Sequence, residues 1–449
     1  LVDIFKIDKT VFSSNITIPN DSTLTININH TNQNINNSNI IILENAFSNI
    51  KIHQLNFHNI KKFNGKQEFN TNCFGQNLTI NEILFQKSNL EGFITTSKQR
   101  YSSKTTNIFS LIIDTCSLSS LSSHNIPTFL NSLIKLQILS TNLTQITTHT
   151  FQAWELQLKE LIIKNNTQLH FLSSEMVDGV LMQLTNLDLS SNIIEIFNPQ
   201  QFFQSFEYTK HLYLQYQHLD TFLKPNILST LFNLETIDFK YSYIINNNSQ
   251  LIIDTIPSNM KYLKSIDISY TNLTEKMIIE LLKIVSHSPT NHTINIKLHG
   301  YLLNESNFCS YIETDRQMVS IELDVQHPCN CIVDYLYEPY IKNLDYQLSS
   351  RSIPDCLKNL TRSSCDLNLS QCKSTTDDKT KSIWNLSFIG LLSGGALFLV
   401  ICISLATTLI YRRRNHIERR MTDLFMDQPI ENPLAKVIHE RTSQSGIKF

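Results

Sequence analysis

Leu184-Thr-Asn-Leu187-Asp-Leu189-Ser-Ser-Asn192-Ile-Ile194 places Leu184, Leu187, Leu189 and Ile194 three, two and five residues apart, with Asn192 between the last two. Leu187 and Leu189 alternate with polar neighbours, the pattern of a short strand with one buried face. The position held by Leu187 recurs at Leu55, Ile83, Leu111, Leu136, Leu161, Leu212, Ile237, Ile266, Ile296 and Ile321, at intervals of 25 to 30 residues. A period of that size marks a stack of small units, each burying its apolar edge only against its neighbours. The 449 residues, which as globular chain would suggest about three domains, therefore form largely one array.

Composition agrees. Only 9 Gly and 11 Pro are present against 46 Asn, so the coils turn through side-chain hydrogen bonding. The scarcity of glycine argues against Gly-rich phosphate loops, and the net charge of −2 removes a general case for nucleic-acid binding. Apolar residues at 41% are enough for a core. His439-Glu440 does not continue to a second histidine at metalloprotease spacing, and no Gly-x-Ser-x-Gly occurs. Enzymatic activity, cofactors and metals are not expected.

At every diagnostic position the opening stretch resembles the leucine-rich repeat consensus, Leu-x-x-Leu-x-Leu-x-x-Asn/Cys-x-Leu. The resemblance covers roughly residues 40 to 372. It implies an α/β solenoid, a leucine-rich repeat horseshoe with a parallel sheet on its concave face, and about eleven repeats over residues 41–326. Residues 1–40 are polar and Asn-dense, with short alternating runs such as Thr25-Ile26-Asn27-Ile28, and read as an irregular or capping segment. Ala46-Phe47-x-x-Ile50 looks like the convex side of the first repeat. In this family the Asn/Cys side chain bonds to the backbone of adjacent coils. That position reads Ile60, Ser88, Cys116, Thr141, Asn166, Asn192, Gln217, Ser242, Thr271, Tyr301 and Gln326; only Ile60 lacks a hydrogen-bonding group. Cys116 is accordingly read as a buried structural thiol, which leaves Cys73 odd on a convex loop. No cysteine precedes Cys73, so the N-terminal cysteine cap of many extracellular relatives is missing, replaced or truncated.

His327-Pro328-Cys329-Asn330-Cys331 resembles the start of the family's C-terminal cysteine cap, here residues 327–373, and a cap is needed to cover the last coil. The resemblance implies Cys329–Cys356, Cys331 with Cys365 or Cys372, and the remaining cysteine with Cys309. The spacing disfavours zinc, since no paired Cys-x-x-Cys occurs.

Beyond a juxtamembrane linker, 374–387, Phe388 to Tyr411 runs 24 residues without a charge, and about 20 suffice to cross a bilayer. Trp384 and Tyr411 stand at its ends, and Arg412-Arg413-Arg414 follows, with Arg419 and Arg420 close behind. The positive-inside rule places the N-terminal region outside and the 412–449 tail in the cytoplasm, a single-pass type I arrangement at the plasma membrane. Such a chain needs a signal sequence, and none is visible before Leu1; it is read as removed or as lying upstream. Eight of the nine cysteines then lie in the disulfide-permissive compartment and Cys402 in the span. Outer Asn-x-Ser/Thr sites begin at Asn15, Asn20, Asn29, Asn36, Asn77, Asn142, Asn165, Asn247, Asn272, Asn291, Asn304, Asn359, Asn368 and Asn385. Chance alone gives roughly eight or nine such sites, so they agree with secretion without establishing it. Gly390-x-x-x-Gly394 offers a face for a homodimer within the span. The terminal Gly446-Ile447-Lys448-Phe449 resembles one class of PDZ ligand, making a PDZ adaptor at Phe449 a candidate partner. The tail is too short for a kinase domain or for the signalling domain of Toll-like receptors.

For a ligand site, Tyr216, Tyr241 and Tyr270 recur at one position in consecutive repeats, accompanied by Tyr213, Asp238, Asp267 and Lys240. Assigned to the concave face, they form an aromatic patch with acidic neighbours, suited to a protein contact. The earlier lanes, Gln54, Asn56, His58, Glu82, Gln86 and Lys87, look generic. The expected function is binding of an extracellular or cell-surface protein ligand, in adhesion or ligand capture. A signalling co-receptor acting through helix pairing or a short-tail adaptor is the alternative.

Overall fold

A computed structural model describes residues 4–7, 25–29, 39–42, 47, 50–63, 78–91, 106–122, 130, 132–177, 179, 181–219, 227–244, 260–288, 290, 292–342, 354–358 and 372. Their dominant element is one parallel sheet of twelve strands. In spatial order these are Thr25–Asn29, Lys51–His58, Leu78–Gln86, Thr106–Asp114, Lys135–Leu139, Glu160–Lys164, Asn186–Asp188, His211–Tyr213, Thr236–Asp238, Ser265–Asp267, Ile294–Lys297 and Val319–Glu322. Spatial order equals chain order, so every connection is one coil of a solenoid.

The register of the sheet is the register of the sequence repeat. Leu55 lies opposite Ile83, Ile83 opposite Leu111, and so on through Leu136, Leu161, Leu187, Leu212, Ile237, Ile266 and Ile296 to Ile321. The array also reaches one strand further than the eleven repeats read from the sequence: Ile26 pairs opposite Leu55. Part of the segment expected to be irregular or capping thus carries a strand of the sheet, because Ile26 and Ile28 supply the alternation a strand needs, and Ile28 is buried. In the deciding stretch Leu184, Leu187, Leu189, Asn192 and Ile194 are all buried, while Ile193 between them is exposed.

Side chains at the Asn/Cys position join the coils. The Asn192 amide accepts the Asn166 backbone N–H at 2.7 Å and donates to the carbonyl of Ile163 at 2.6 Å. Asn166 does the same to Thr141 N–H and Ile138 C=O, and Ser242 to Gln217 N–H and Leu214 C=O. In the upstream coils Cys116 takes the role, its thiol facing Ser88 N–H and Phe85 C=O. Each such side chain satisfies an amide and a carbonyl that the preceding coil cannot satisfy internally. Ile60 is buried, and its N–H still donates to Ser88 Oγ at 3.1 Å.

Cys116 is the free cysteine among the described residues. Burial, reinforced by Asp114 and opposed by its backbone bonds, pushes the thiol up to about 11. The folded protein therefore keeps a proton that the unfolded chain loses, and stability falls as pH rises from about 9 through about 11. The expected result is a steeper loss of urea midpoint over that interval in the native chain than in Cys116→Ala. Equal slopes would remove the thiol from the alkaline behaviour.

The last coil is covered by the helix Cys331–Lys342, which lays Ile332, Val333, Leu336 and Tyr337 into the core. Tyr337 Oη accepts the Leu323 N–H at 3.1 Å. Asn330 donates to Leu303 C=O and caps its own helix by accepting the Val333 N–H. Cys329 is joined to Cys356, with Cα atoms 5.6 Å apart. Cys309, Cys331 and Cys372 are also disulfide-bonded. Among the described residues no helix is long and apolar enough to cross a membrane. The 388–411 span and its Gly390–Gly394 face, the 374–387 linker, the 412–449 tail with Phe449, and Cys73, Cys365 and Cys402 lie outside the described residues.

Candidate functional site

The tyrosine lane sits on the rim of the sheet, not among its strands. The three relevant strands end at Tyr213, Asp238 and Asp267, and each tyrosine follows three residues later, within the turn that leaves the sheet. Tyr216, Tyr241 and Tyr270 have φ of 55°, 59° and 56°. The same turn position is left-handed at Asn59, Lys87, Thr115, Ser140, Asn165, Ser191 and Gly300. The coil geometry therefore demands this conformation whatever residue occupies it. Asn and Gly adopt it cheaply, whereas for a bulky aromatic residue it is an outlier. Three successive tyrosines there carry a local cost on the order of 1 kcal/mol or more each.

Their rings form a ladder. Tyr216 stacks on Tyr241 with centroids 4.7 Å apart, Tyr241 on Tyr270 at 4.9 Å, and His299 continues the row at 6.5 Å. The Lys240 ammonium lies 5.0 Å from the Tyr241 centroid and 5.8 Å from that of Tyr270. The rings remain 52%, 37% and 45% exposed. Two residues further along each turn runs a parallel row that the sequence analysis did not single out. There His218 packs on Tyr243 with centroids 4.0 Å apart and their side chains hydrogen-bonded. Ile193 precedes that row and Leu302 follows it, both exposed. The 25-residue interval from His218 to Tyr243 was the available signal.

The acidic and basic neighbours behave differently from the rings. Asp238 and Asp267 each turn back to accept a backbone N–H two residues on, from Lys240 and Ser269, both at 2.9 Å. They fix the turn that presents the tyrosines. Asp238 also accepts from Gln215 at 2.6 Å. Partial burial raises the Asp238 carboxyl above the ordinary range, with Asp267 adding to it, against the bonds from Lys240 N–H and Gln215. Partial burial likewise raises the Tyr213 phenol, and the charges of Asp238, Asp188 and Glu160 reinforce the shift. The carboxylates of Asp188, Asp238 and Asp267 thus lie close together beside the rim.

In the earlier lanes most polar side chains bond to one another, although the Asn56 amide oxygen is buried without a partner among the described residues. Gln54 donates to Glu82 at 2.7 Å, Asn56 to Asn27 at 2.7 Å and Gln86 to Asp114 at 2.8 Å, and His58 is paired with Gln86 at 3.1 Å. These strands spend their polar groups on one another.

Four proposed glycosylation sites have described side chains. Asn165 and Asn304 are exposed on turns. Asn142 is half-buried and accepts the Leu118 N–H at 2.6 Å. Asn272 is exposed, lies in the row of Tyr243 and Leu302, and makes two bonds to the Ile244 backbone. Asn29 falls within a strand. Asn15, Asn20, Asn36, Asn77, Asn247, Asn291, Asn359, Asn368 and Asn385 lie outside the described residues.

No protein-family model matches the chain, and no curated protein matches it. Among solved structures, the mouse RP105/MD-1 complex is similar over 71% of this chain and 64% of that chain, at 13% identity and a TM-score of 0.37. An LRR protein of Leptospira interrogans is similar over 64% of this chain and 82% of that one, at 14% identity and a TM-score of 0.25. The chain thus spans just under two thirds of the length of the mouse protein. The twelve-stranded register and the side-chain ladder between coils are the chain's own, and they make it an α/β solenoid with a leucine-rich repeat fold.

Proposed function

We propose that this chain is a cell-surface leucine-rich repeat protein that captures a protein partner on its tyrosine rim, in adhesion or ligand capture. The observation that carries the reading is the exposed ladder Tyr216–Tyr241–Tyr270, held in a backbone conformation that tyrosine occupies at a cost. The core does not need these side chains, because the rings lie outside it. Tyrosine supplies large, rigid contact area and a polar tip, which suits a protein interface. The surface location rests on the uncharged run 388–411 and the arginines that follow it.

Substituting Tyr216, Tyr241 and Tyr270 together by Ala is expected to lower partner affinity at least about tenfold. The unfolding midpoint should fall little, since the exposed rings lie outside the core and Ala keeps the backbone in the same turn. The measurement is a binding screen of the full chain, displayed on cells, against secreted and surface proteins, repeated with the triple variant. A partner that binds both forms equally would overturn the rim as its site.

A further inference from the structure

The tyrosine ladder ends on an open cavity of about 550 Å³ lined by Tyr270, His299, Gly300, Leu302, Asp324 and Val325, among others. Gly300 makes room for it. A Cβ there would stand 2.4 Å from Cδ1 of Tyr270, and φ is +83°, so any other residue would both displace the ring and strain the turn. Two aliphatic side chains line the cavity and face water, Leu302 at 73% exposure and Val325 at 39%. Asp324 accepts Gly300 N–H at 2.5 Å, Tyr270 Oη–H at 3.2 Å and His299 Nδ1 at 3.2 Å. A carboxylate offers about four acceptor positions, so one remains. Burial alone would raise its carboxyl, but these three bonds outweigh it and hold Asp324 below the ordinary range. The two imidazoles at the cavity are committed elsewhere: His299 lies between Glu322 and Asp324, and His327 receives Leu303 N–H.

Charge selects the occupant. From Asn186 to Asp324 the sheet positions beside the rim carry the carboxylates of Asp188, Asp238, Asp267, Glu322 and Asp324 against the ammonium groups of Lys240 and Lys297. Lys240 already demonstrates the attraction of these rings for a cation. Elsewhere the chain combines a ring, a carboxylate and a guanidinium in one contact. Arg316 lies 4.0 Å from the Tyr335 centroid and is paired with Glu338 at 2.5 Å.

We propose that the cavity receives an arginine side chain of the protein partner, its guanidinium against the aromatic end of the ladder and the free position of Asp324, its methylene stem along Leu302 and Val325. A planar guanidinium satisfies ring and carboxylate together, which a compact ammonium does less well. The inference rests on the rim being the partner site, and its test separates the two.

The full chain in lipid nanodiscs is used to select from a displayed library of disulfide-constrained random peptides. The expected result is enrichment of peptides with an arginine beside an apolar residue. Replacing that arginine by leucine in the synthetic peptide should weaken binding at least tenfold, and rising NaCl should weaken it progressively. Leu302→Arg, which places a cation in the cavity from an exposed position, and Asp324→Asn should each weaken it similarly. Peptides that are lost in the triple tyrosine variant but lack a basic residue, or that survive its replacement, would overturn the arginine and leave the rim standing. Peptides indifferent to the triple variant and to Leu302→Arg, or no enriched peptide, would overturn both.

Discussion

Asn192→Ala is expected to lower the stability of the chain by about 3 kcal/mol, among the largest effects available to a single polar side chain. The asparagine is 1% exposed and makes three bonds, to Asn166 N–H, Ile163 C=O and Leu189 C=O. Alanine removes all three and leaves a buried amide and two buried carbonyls without that partner. Each buried group left unsatisfied costs roughly 1–3 kcal/mol, and relaxation of the turn recovers part of it. The neighbouring Ile193→Ala serves as control: its side chain is exposed, and its effect should stay within about 0.5 kcal/mol. Urea unfolding of the two variants checks this. A shift for Asn192→Ala no larger than that of the control would mean that the ladder does not hold the coils together.

Cys356→Ser is expected to cost about 3 kcal/mol and to act on one end of the array. The Cys329–Cys356 bond closes 27 residues of chain and includes the helix that covers Leu323. Loop-closure entropy for a ring of that size is about 3 kcal/mol. Asp355 N–H also donates to Val325 C=O at 2.8 Å, so loosening this segment uncovers the last strand as well. Limited proteolysis should then cut within the cap before any cut among the central strands. Cys116→Ser provides the contrast, because serine already fills that ladder position at Ser88 and Ser242. Cleavage that begins in the central coils would show that the cap does not fail first.

The apolar register was legible because it is written in burial. Leu187 and its equivalents must enter the core, and only leucine or isoleucine stands at that position. Ile26 escaped because Asn27, Asn29 and the asparagines around them dilute a two-residue signal, although the alternation itself was visible. The tyrosine lane was legible as a recurrence but not as a location. A strand was assumed to continue through Tyr216, whereas the backbone turns left-handed there, and composition announces that conformation at Asn165 but not at a tyrosine. Asp324 was invisible as the anchor of a cavity, since its partners Tyr270 and Gly300 lie 54 and 24 residues away.

The ladder between coils has a direction. Asn192 completes the coil before it, Asn166 the one before that, and Ser242 the coil of Gln217. In this row of side chains each of these coils is completed by its successor. On the ribosome the chain emerges in that same order, at about 5–20 residues per second, so the newest coil waits a few seconds for the side chain that satisfies its amide and carbonyl. At each moment of synthesis one unfinished edge exists, and it travels with the growing end until the cap arrives. A nascent chain stalled between coils would present that edge to chaperones.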